Sequence, residues 1–289
     1  MLDLDALKAF VAACEEGSVS RAAQRLFRSQ PATTRQILSL EKALGAVLLD
    51  RSSRGVKPSA AGEAVLHKAQ KLLRDVENLT GSARDPVGES GDLRIASSDT
   101  VAQYWLAPIL GRFARSAPQA RLHLDISSSP EIANRVASGL DDVGFVLLPL
   151  HHPSLIHRTV LCYRHVAAFA KGAAPSGVGP ISASDLADSP LVLLGRQTRS
   201  RQLIEEGFLA KGLWPQRVVE VGNVSVQKEL VRVGLGVGVL PDYAARPGDG
   251  LEYRPIDGAS VREIALVTHR TDFHGALADR FVKMVLEPG

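Results

Sequence analysis

The chain has 289 residues, 45% of them apolar, and carries 34 lysines and arginines against 31 acids, a formal net charge of +3. That length exceeds the usual single domain and predicts two or three folding units. The opening MLDLDALKAF lacks the basic start and apolar core of a secretion signal, and no apolar run reaches the roughly eighteen residues of a membrane span, so a cytoplasmic protein without membrane contact is expected.

Leu4, Leu7, Val11 and Cys14 recur at steps of three and four with Phe10 beside them, which predicts an amphipathic helix stopped by Gly17. Ser18 or Ser20 can cap a second, short helix whose inner face is Val19, Ala22, Ala23 and Leu26. After Phe27-Arg28, Ser29 is a good cap for a third helix with Pro31 in its first turn, burying Ile37, Leu40 and Leu44. Two short helices joined this tightly form a helix-turn-helix, whose second member presents its N-terminal residues to the DNA major groove. Gln30, Thr33, Thr34 and Arg35 occupy that end: the amide suits adenine edges, the threonines offer hydroxyl or methyl contacts, and Arg35 can reach guanine or phosphate. LGAVLLDRSSRGVKPS then reads as a two-stranded wing carrying Arg51, Arg54 and Lys57 toward phosphates. The segment Ser18 to Pro58 holds eight lysines and arginines against two acids, so most of the basic excess is local.

GSVSRAAQRLFRSQPATTRQILSLEKALGAVLLDR resembles the signature of LysR-type regulators, with Ala22-Ala23, Ser29-Gln30-Pro31-Ala32, Ile37, Leu40-Glu41, Leu44-Gly45 and Arg51 at the family's spacing and Ala61-Gly62 beyond the wing. Thr34 stands where the family usually has Ser, Thr33 replaces an aliphatic residue, Leu49 a Phe, and Lys57-Pro58-Ser59 the usual Leu-Thr. The resemblance implies DNA contacts from Ser20, Arg21, Ser29, Gln30, Pro31, Thr33, Thr34, Arg35, Arg51 and Arg54.

From Ser59 onward Val65, Ala69, Leu72, Val76 and Leu79 alternate steps of four and three, the seam of a coiled coil, ending near Gly81. An amphipathic helix packed on its own domain has the same period. In the family this segment is a linker helix that pairs two DNA-binding units on a partly palindromic site. ARDPVGESG follows as a hinge of Gly, Pro and polar residues.

Beyond Gly91, short apolar strands alternate with helices. Strands are expected at Leu93 to Ala96, Arg121 to Ile126, Val143 to Leu147, Ala167 to Ala170, Leu191 to Leu194, Val218 to Val221 and Ile264 to Thr268. Helices are expected at Ala102 to Ser116, Pro130 to Ser138, Arg201 to Ala210, Val226 to Val233 and Gly275 to Leu286. Such alternation predicts parallel sheets covered by helices. Two lobes of this kind resemble the periplasmic-binding-protein-like effector domain of the same family. The full expectation is an α+β multidomain chain: a winged helix-turn-helix over 1–58, a dimerising linker and hinge over 59–90, and two α/β lobes over 91–289. Lobe I would take 91–162 and 266–289, and lobe II 163–265, with crossings near Leu161 to Arg164 and near Ala265.

Ligands in such sheets bind beyond the strand ends, where helix N-termini offer free amides. Ser98, Asp99, Thr100, Ser128, Ser129, Arg196, Thr198, Arg199 and Val224 are the effector-contact candidates, though Ser and Thr at helix starts also cap. Asp99 with Arg196 or Arg199 would suit an amino-acid-like ligand. Gly234-Leu235-Gly236-Val237-Gly238 follows a helix and precedes a strand, the reverse of a dinucleotide fingerprint. His151, His152 and His157 share a loop without a metal-ligand spacing, and Cys14 and Cys162 are expected to be structural thiols. With no catalytic motif, the reading is a non-enzymatic, cofactor-free regulator of transcription. Its expected partners are double-stranded promoter DNA, a small-molecule effector, RNA polymerase and further copies of itself in a homodimer or homotetramer. An effector-binding protein whose N-terminal domain serves only for assembly is the competing reading, and salt-independent or absent DNA affinity would favour it.

Overall fold

The computed structural model describes residues 3–52, 55–84, 88–177, 179–270 and 275–287. Asp3 caps the first helix, Leu4–Glu16 (α1), by accepting from the Asp5 N–H at 3.0 Å, and Gly17 closes it in the left-handed region at φ 60. Ser18 caps Val19–Arg25 (α2), and Ser29 caps Gln30–Leu44 (α3) by accepting from the Ala32 N–H. Leu7, Phe10, Ala22, Ile37 and Leu40 are buried together, so the periodicity of the sequence marks the faces that pack. Two positions depart from it. Leu44, expected inside, is 39% exposed in the last turn of α3, while Thr33 is fully buried and donates its hydroxyl to the Ser29 carbonyl at 3.2 Å.

A two-stranded antiparallel wing, Leu49–Ser52 (β1) and Gly55–Pro58 (β2), is anchored at both ends. Glu41 accepts from the Leu48 and Leu49 N–H groups at 2.8 and 3.2 Å, and the Val56 N–H donates to the Gly17 carbonyl at 3.0 Å. The linker helix Ala60–Arg84 (α4) runs three residues beyond the expected end at Gly81. Its start is seated on the wing: Ser59 donates to the Val47 carbonyl and accepts from the Gly62 N–H. Of the predicted hinge, Ala83 and Arg84 belong to this helix and Ser90 and Gly91 to the next strand, while 85–87 lie outside the described residues.

The remainder forms two lobes. Lobe I begins with Ser90–Ser97 (β3), the helical turn Asp99–Val101 (α5), a π-helical turn Ala102–Leu106 and Ala107–Ser116 (α6). Gln119–Ile126 (β4), Ser129–Ala137 (α7), Val143–Leu147 (β5) and Leu155–Tyr163 (β6) follow. Lobe II holds His165–Ala170 (β7), Ala183–Asp188 (α8), Pro190–Leu194 (β8), Arg199–Leu209 (α9), Arg217–Val221 (β9), Val224–Arg232 (α10), Val237–Pro241 (β10) and Leu251–Pro255 (β11). Arg262–His269 (β12) and Gly275–Leu286 (α11) return to lobe I.

The sheets are ordered β4-β3-β5-β12-β6 and β11-β7-β10-β8-β9. Both are mixed rather than parallel, because β12 runs antiparallel between β5 and β6, and β7 runs antiparallel between β10 and β11. These returning strands cross between lobes without an intervening crossover helix, so they enter against the parallel direction. The return to lobe I lies in 256–261, not near Ala265: that residue is fully buried mid-strand, opposite Val146 and Thr159. The first passage between the lobes falls at Arg164, within the expected range, while β6, which was not expected as a strand, forms the edge of the lobe I sheet. Phe113, Phe145 and Phe281 meet edge-to-face in the lobe I core.

Candidate functional site

The capped start of α3 projects from the N-terminal domain. Gln30, Pro31 and Arg35 are exposed there and Thr34 is half-buried. Thr33, a candidate base reader, points into the three-helix core with its hydroxyl satisfied, so it supports the reading helix from behind. Ser20 and Arg21 are exposed on α2, where Arg21 donates to the Glu16 carbonyl. Ser29 spends its hydroxyl on the α3 cap.

The local charge divides into two sets. Arg25 pairs with Glu15 at 2.7 Å and Arg28 with Asp5 at 2.7 Å, so these bases hold α2 and the turn after it to α1. Arg35, Arg51 and Lys57 are exposed and, among the described residues, have no acid within ion-pair distance. They form a cationic rim from α3 to the wing, suited to phosphate oxygens. Arg54 lies outside the described residues.

Between the lobes lies a cleft of about 250 Å³. Of the nine effector-contact candidates, Ser98, Asp99, Thr100, Ser128, Ser129, Thr198 and Arg199 line it. Arg196 and Val224 do not: Arg196 is exposed elsewhere on its loop, and Val224 is fully buried in the lobe II core because it is the first inward position of α10. Gln197 and Ser200, in the same 195–200 segment expected beyond a strand end, line it as well, whereas Tyr163 and Tyr243 carry no local signal and were not anticipated.

The hydroxyls are not equivalent. Thr198 caps α9, accepting from the Arg201 N–H at 3.3 Å and donating to the Gly195 carbonyl at 2.8 Å. Asn223 caps α10, and Ser129 accepts from the buried Leu147 N–H at 3.1 Å. Ser98 and Ser128 occupy the cap positions of α5 and α7 without a capping bond from their side chains. Both can therefore turn toward a ligand, with the amides of α7 beside them favouring negative charge. Arg199 is already paired with Glu206 at 3.0 Å.

One margin of the cleft is clasped. Ser225 donates to the Gln103 Oε1 at 2.9 Å across the lobes, and the Lys228 ammonium stands 4.9 Å from the centre of the Tyr104 ring. Lys228 is buried but compensated by Asp249 at 2.7 Å and the Ala244 carbonyl at 2.6 Å. The lobe I half of this clasp is the π-helical turn, a widened helix of the kind that recurs at functional positions.

Other sequence features resolve plainly. The glycine run spans the turn from α10 into β10. His157 lies on β6, exposed, rather than in a loop. Among the described residues no cluster of three or more His, Cys, Asp or Glu could hold a metal ion, and no helix is long and apolar enough to cross a membrane. Burial pushes the Cys14 thiol up to about 11, in keeping with a structural residue, whereas Cys162 is exposed on the edge strand β6 and is not a core thiol.

Residues 4–63 match the model of the bacterial regulatory helix-turn-helix protein, lysR family, and residues 87–288 match that of the LysR substrate binding domain. The regulator ClcR of Pseudomonas putida is 33% identical over 242 residues, covering 83% of this chain and 82% of its own. AlsR of Bacillus subtilis is 27% identical over 285 residues, covering 97% and 94%. Among solved structures, full-length CbnR complexed with its target DNA superimposes with a TM-score of 0.71 at 26% identity, covering 98% of both chains. A full-length OxyR from Pseudomonas aeruginosa reaches 0.79 at 22% identity, covering 99% and 94%, and shows the shared fold. A helix-turn-helix with an exposed second helix, a basic wing, a linker helix and two clasped lobes thus coincide with both family models, and the chain belongs to the LysR family of transcriptional regulators.

Proposed function

We propose that this regulator reads promoter DNA through Gln30, Thr34 and Arg35, clamps phosphates with Arg51, Arg54 and Lys57, and changes its grip when a small molecule enters the interlobe cleft. The observation that carries this reading is the pairing of two open ends. The cap of α3 is exposed beside unpaired cations, and Ser98 and Ser128 face the cleft at helix starts that their side chains leave uncapped. The ligand that suits the cleft is a small, hydroxyl-bearing carboxylate. Its acid would meet the amides of α7, and its hydroxyls would meet Gln197, Ser200 and Asn223. An amino-acid-like ligand has weaker support, since Arg196 is absent from the lining and Arg199 is shared with Glu206.

In this reading residues 1–58 recognise DNA, α4 pairs two chains, and the lobes sense, with lobe II spanning about 165–255. The protein works in the cytoplasm as a homodimer or homotetramer, with RNA polymerase meeting the DNA-bound form. Effector action is a population shift, so the ligand must bind two arrangements of the lobes unequally. The test is footprinting on the intergenic DNA beside the protein's own gene, with and without candidate hydroxy acids. A Gln30→Ala/Arg35→Ala variant should lose about tenfold or more in operator affinity, since each base-edge contact is worth roughly 1–3 kcal/mol. Unchanged protection by that variant would reject α3 as the reading element.

A further inference from the structure

We infer that lobe II carries a second small-molecule site, separate from the interlobe cleft, that takes a compact apolar monocarboxylate. A cavity of about 160 Å³ lies between α8, α9, β10 and the segment 256–262. Its walls are apolar, from Leu186, Ile204, Phe208 and Val239. An apolar void of roughly 150 Å³ admits one benzene-sized ring, so the space fits a single six-membered ring.

The rim supplies the other half of the specificity. Arg262 is half-buried, donates weakly to the Leu203 carbonyl at 3.4 Å, and among the described residues has no carboxylate partner. Lys211 also lines the cavity and donates to the Asp257 carbonyl at 2.8 Å. Asp257 is the one acid among the described lining residues and is exposed. A half-buried guanidinium without a counter-ion next to an apolar void favours a ligand with one negative end.

The cavity also backs onto the cleft. His165 lines the cavity, and its Nε2 lies 3.3 Å from the Ser200 hydroxyl, which lines the cleft. The wall between the two spaces is therefore the His165–Ser200 pair, and an occupant of the lobe II cavity would press on Ser200 through the imidazole.

The test is calorimetric titration of the full-length protein with cyclohexanecarboxylate and with its neutral counterpart cyclohexylmethanol. The acid should bind once per chain, and the alcohol at least about tenfold more weakly. Arg262→Gln should weaken the acid by about tenfold or more, the loss expected when a charge-assisted bond is removed. Gly207→Leu should weaken binding by about tenfold or more: Gly207 is exposed at the mouth of the cavity, and a Cβ built there meets no atom within 4 Å, so a larger side chain narrows the entrance at little cost to the fold. Thermal unfolding of both variants separates lost binding from lost structure, and Gly207→Leu decides the matter alone if Arg262→Gln does not fold. The proposal is overturned if millimolar acid gives no binding, if Gly207→Leu binds as the wild type does, or if the alcohol binds as tightly as the acid.

Discussion

His165 is 8% exposed, and burial, reinforced by the nearby Arg262 guanidinium, lowers its pKa from the ordinary 6.5 to about 4. The unfolded chain therefore binds the proton more readily than the native one. The stability His165 contributes is complete above about pH 6.5 and is lost as pH falls toward 4, by at most about 3 kcal/mol. Thermal unfolding of the wild type should accordingly lose midpoint across that window more steeply than His165→Gln. Identical pH profiles would show that the imidazole does not titrate as its surroundings require. Thr33 and Thr34 make the same point about environment. They are chemically identical neighbours, yet a helical step of about 100° turns the first into the core and leaves the second half-buried beside the exposed Arg35.

At the scale of elements, the N-terminal domain was legible because its signals are local. Asp3, Ser18 and Ser29 cap helices within three residues of themselves, and Gly17 terminates one by its own backbone freedom. Gly62 follows a different logic. A Cβ at this position would stand 2.0 Å from the Leu48 carbonyl, so the start of α4 can approach the wing only because the residue has no side chain. Gly62→Ala should cost about 2–3 kcal/mol in spite of its better helix propensity, measurable as a drop in the unfolding midpoint. A gain in stability would mean that α4 can shift away from the wing freely. The strands β6 and β11 were not legible. β6 is an edge strand with a mostly exposed face, so its apolar alternation is weak.

For the whole molecule, the linker seam is buried along one stretch and exposed along another. Ala69 is buried against the N-terminal domain and Val65 packs beside it, while Leu72 and Leu79 are 42% and 68% exposed. The reading as a helix packed on its own domain thus holds for Val65 and Ala69, and Leu72 and Leu79 are the seam residues left open to a second chain. If the exposed leucines meet a partner copy, Leu72→Glu/Leu79→Glu should sediment as a monomer and lose operator affinity by at least about tenfold, because like charges then face each other across the seam. A double variant that keeps the wild-type mass in solution would place the interface elsewhere.

Sequence alone determined the helix-turn-helix, its caps, the linker helix and the alternation of the lobes, since each depends on residues a few positions apart. Even there, the candidate contacts at the start of α3 held one residue too many: Thr33 is fully buried, which only the packing of the domain decides. Tertiary structure alone decided that both sheets are mixed, that the chain re-enters lobe I before Arg262, and which hydroxyls converge on the cleft. Strand direction and cleft geometry depend on contacts between distant segments, and no local period records them. The lobe II cavity is of the same kind: Leu186, Phe208, Val239 and Arg262 are far apart along the chain and share no pattern until the sheet brings them together.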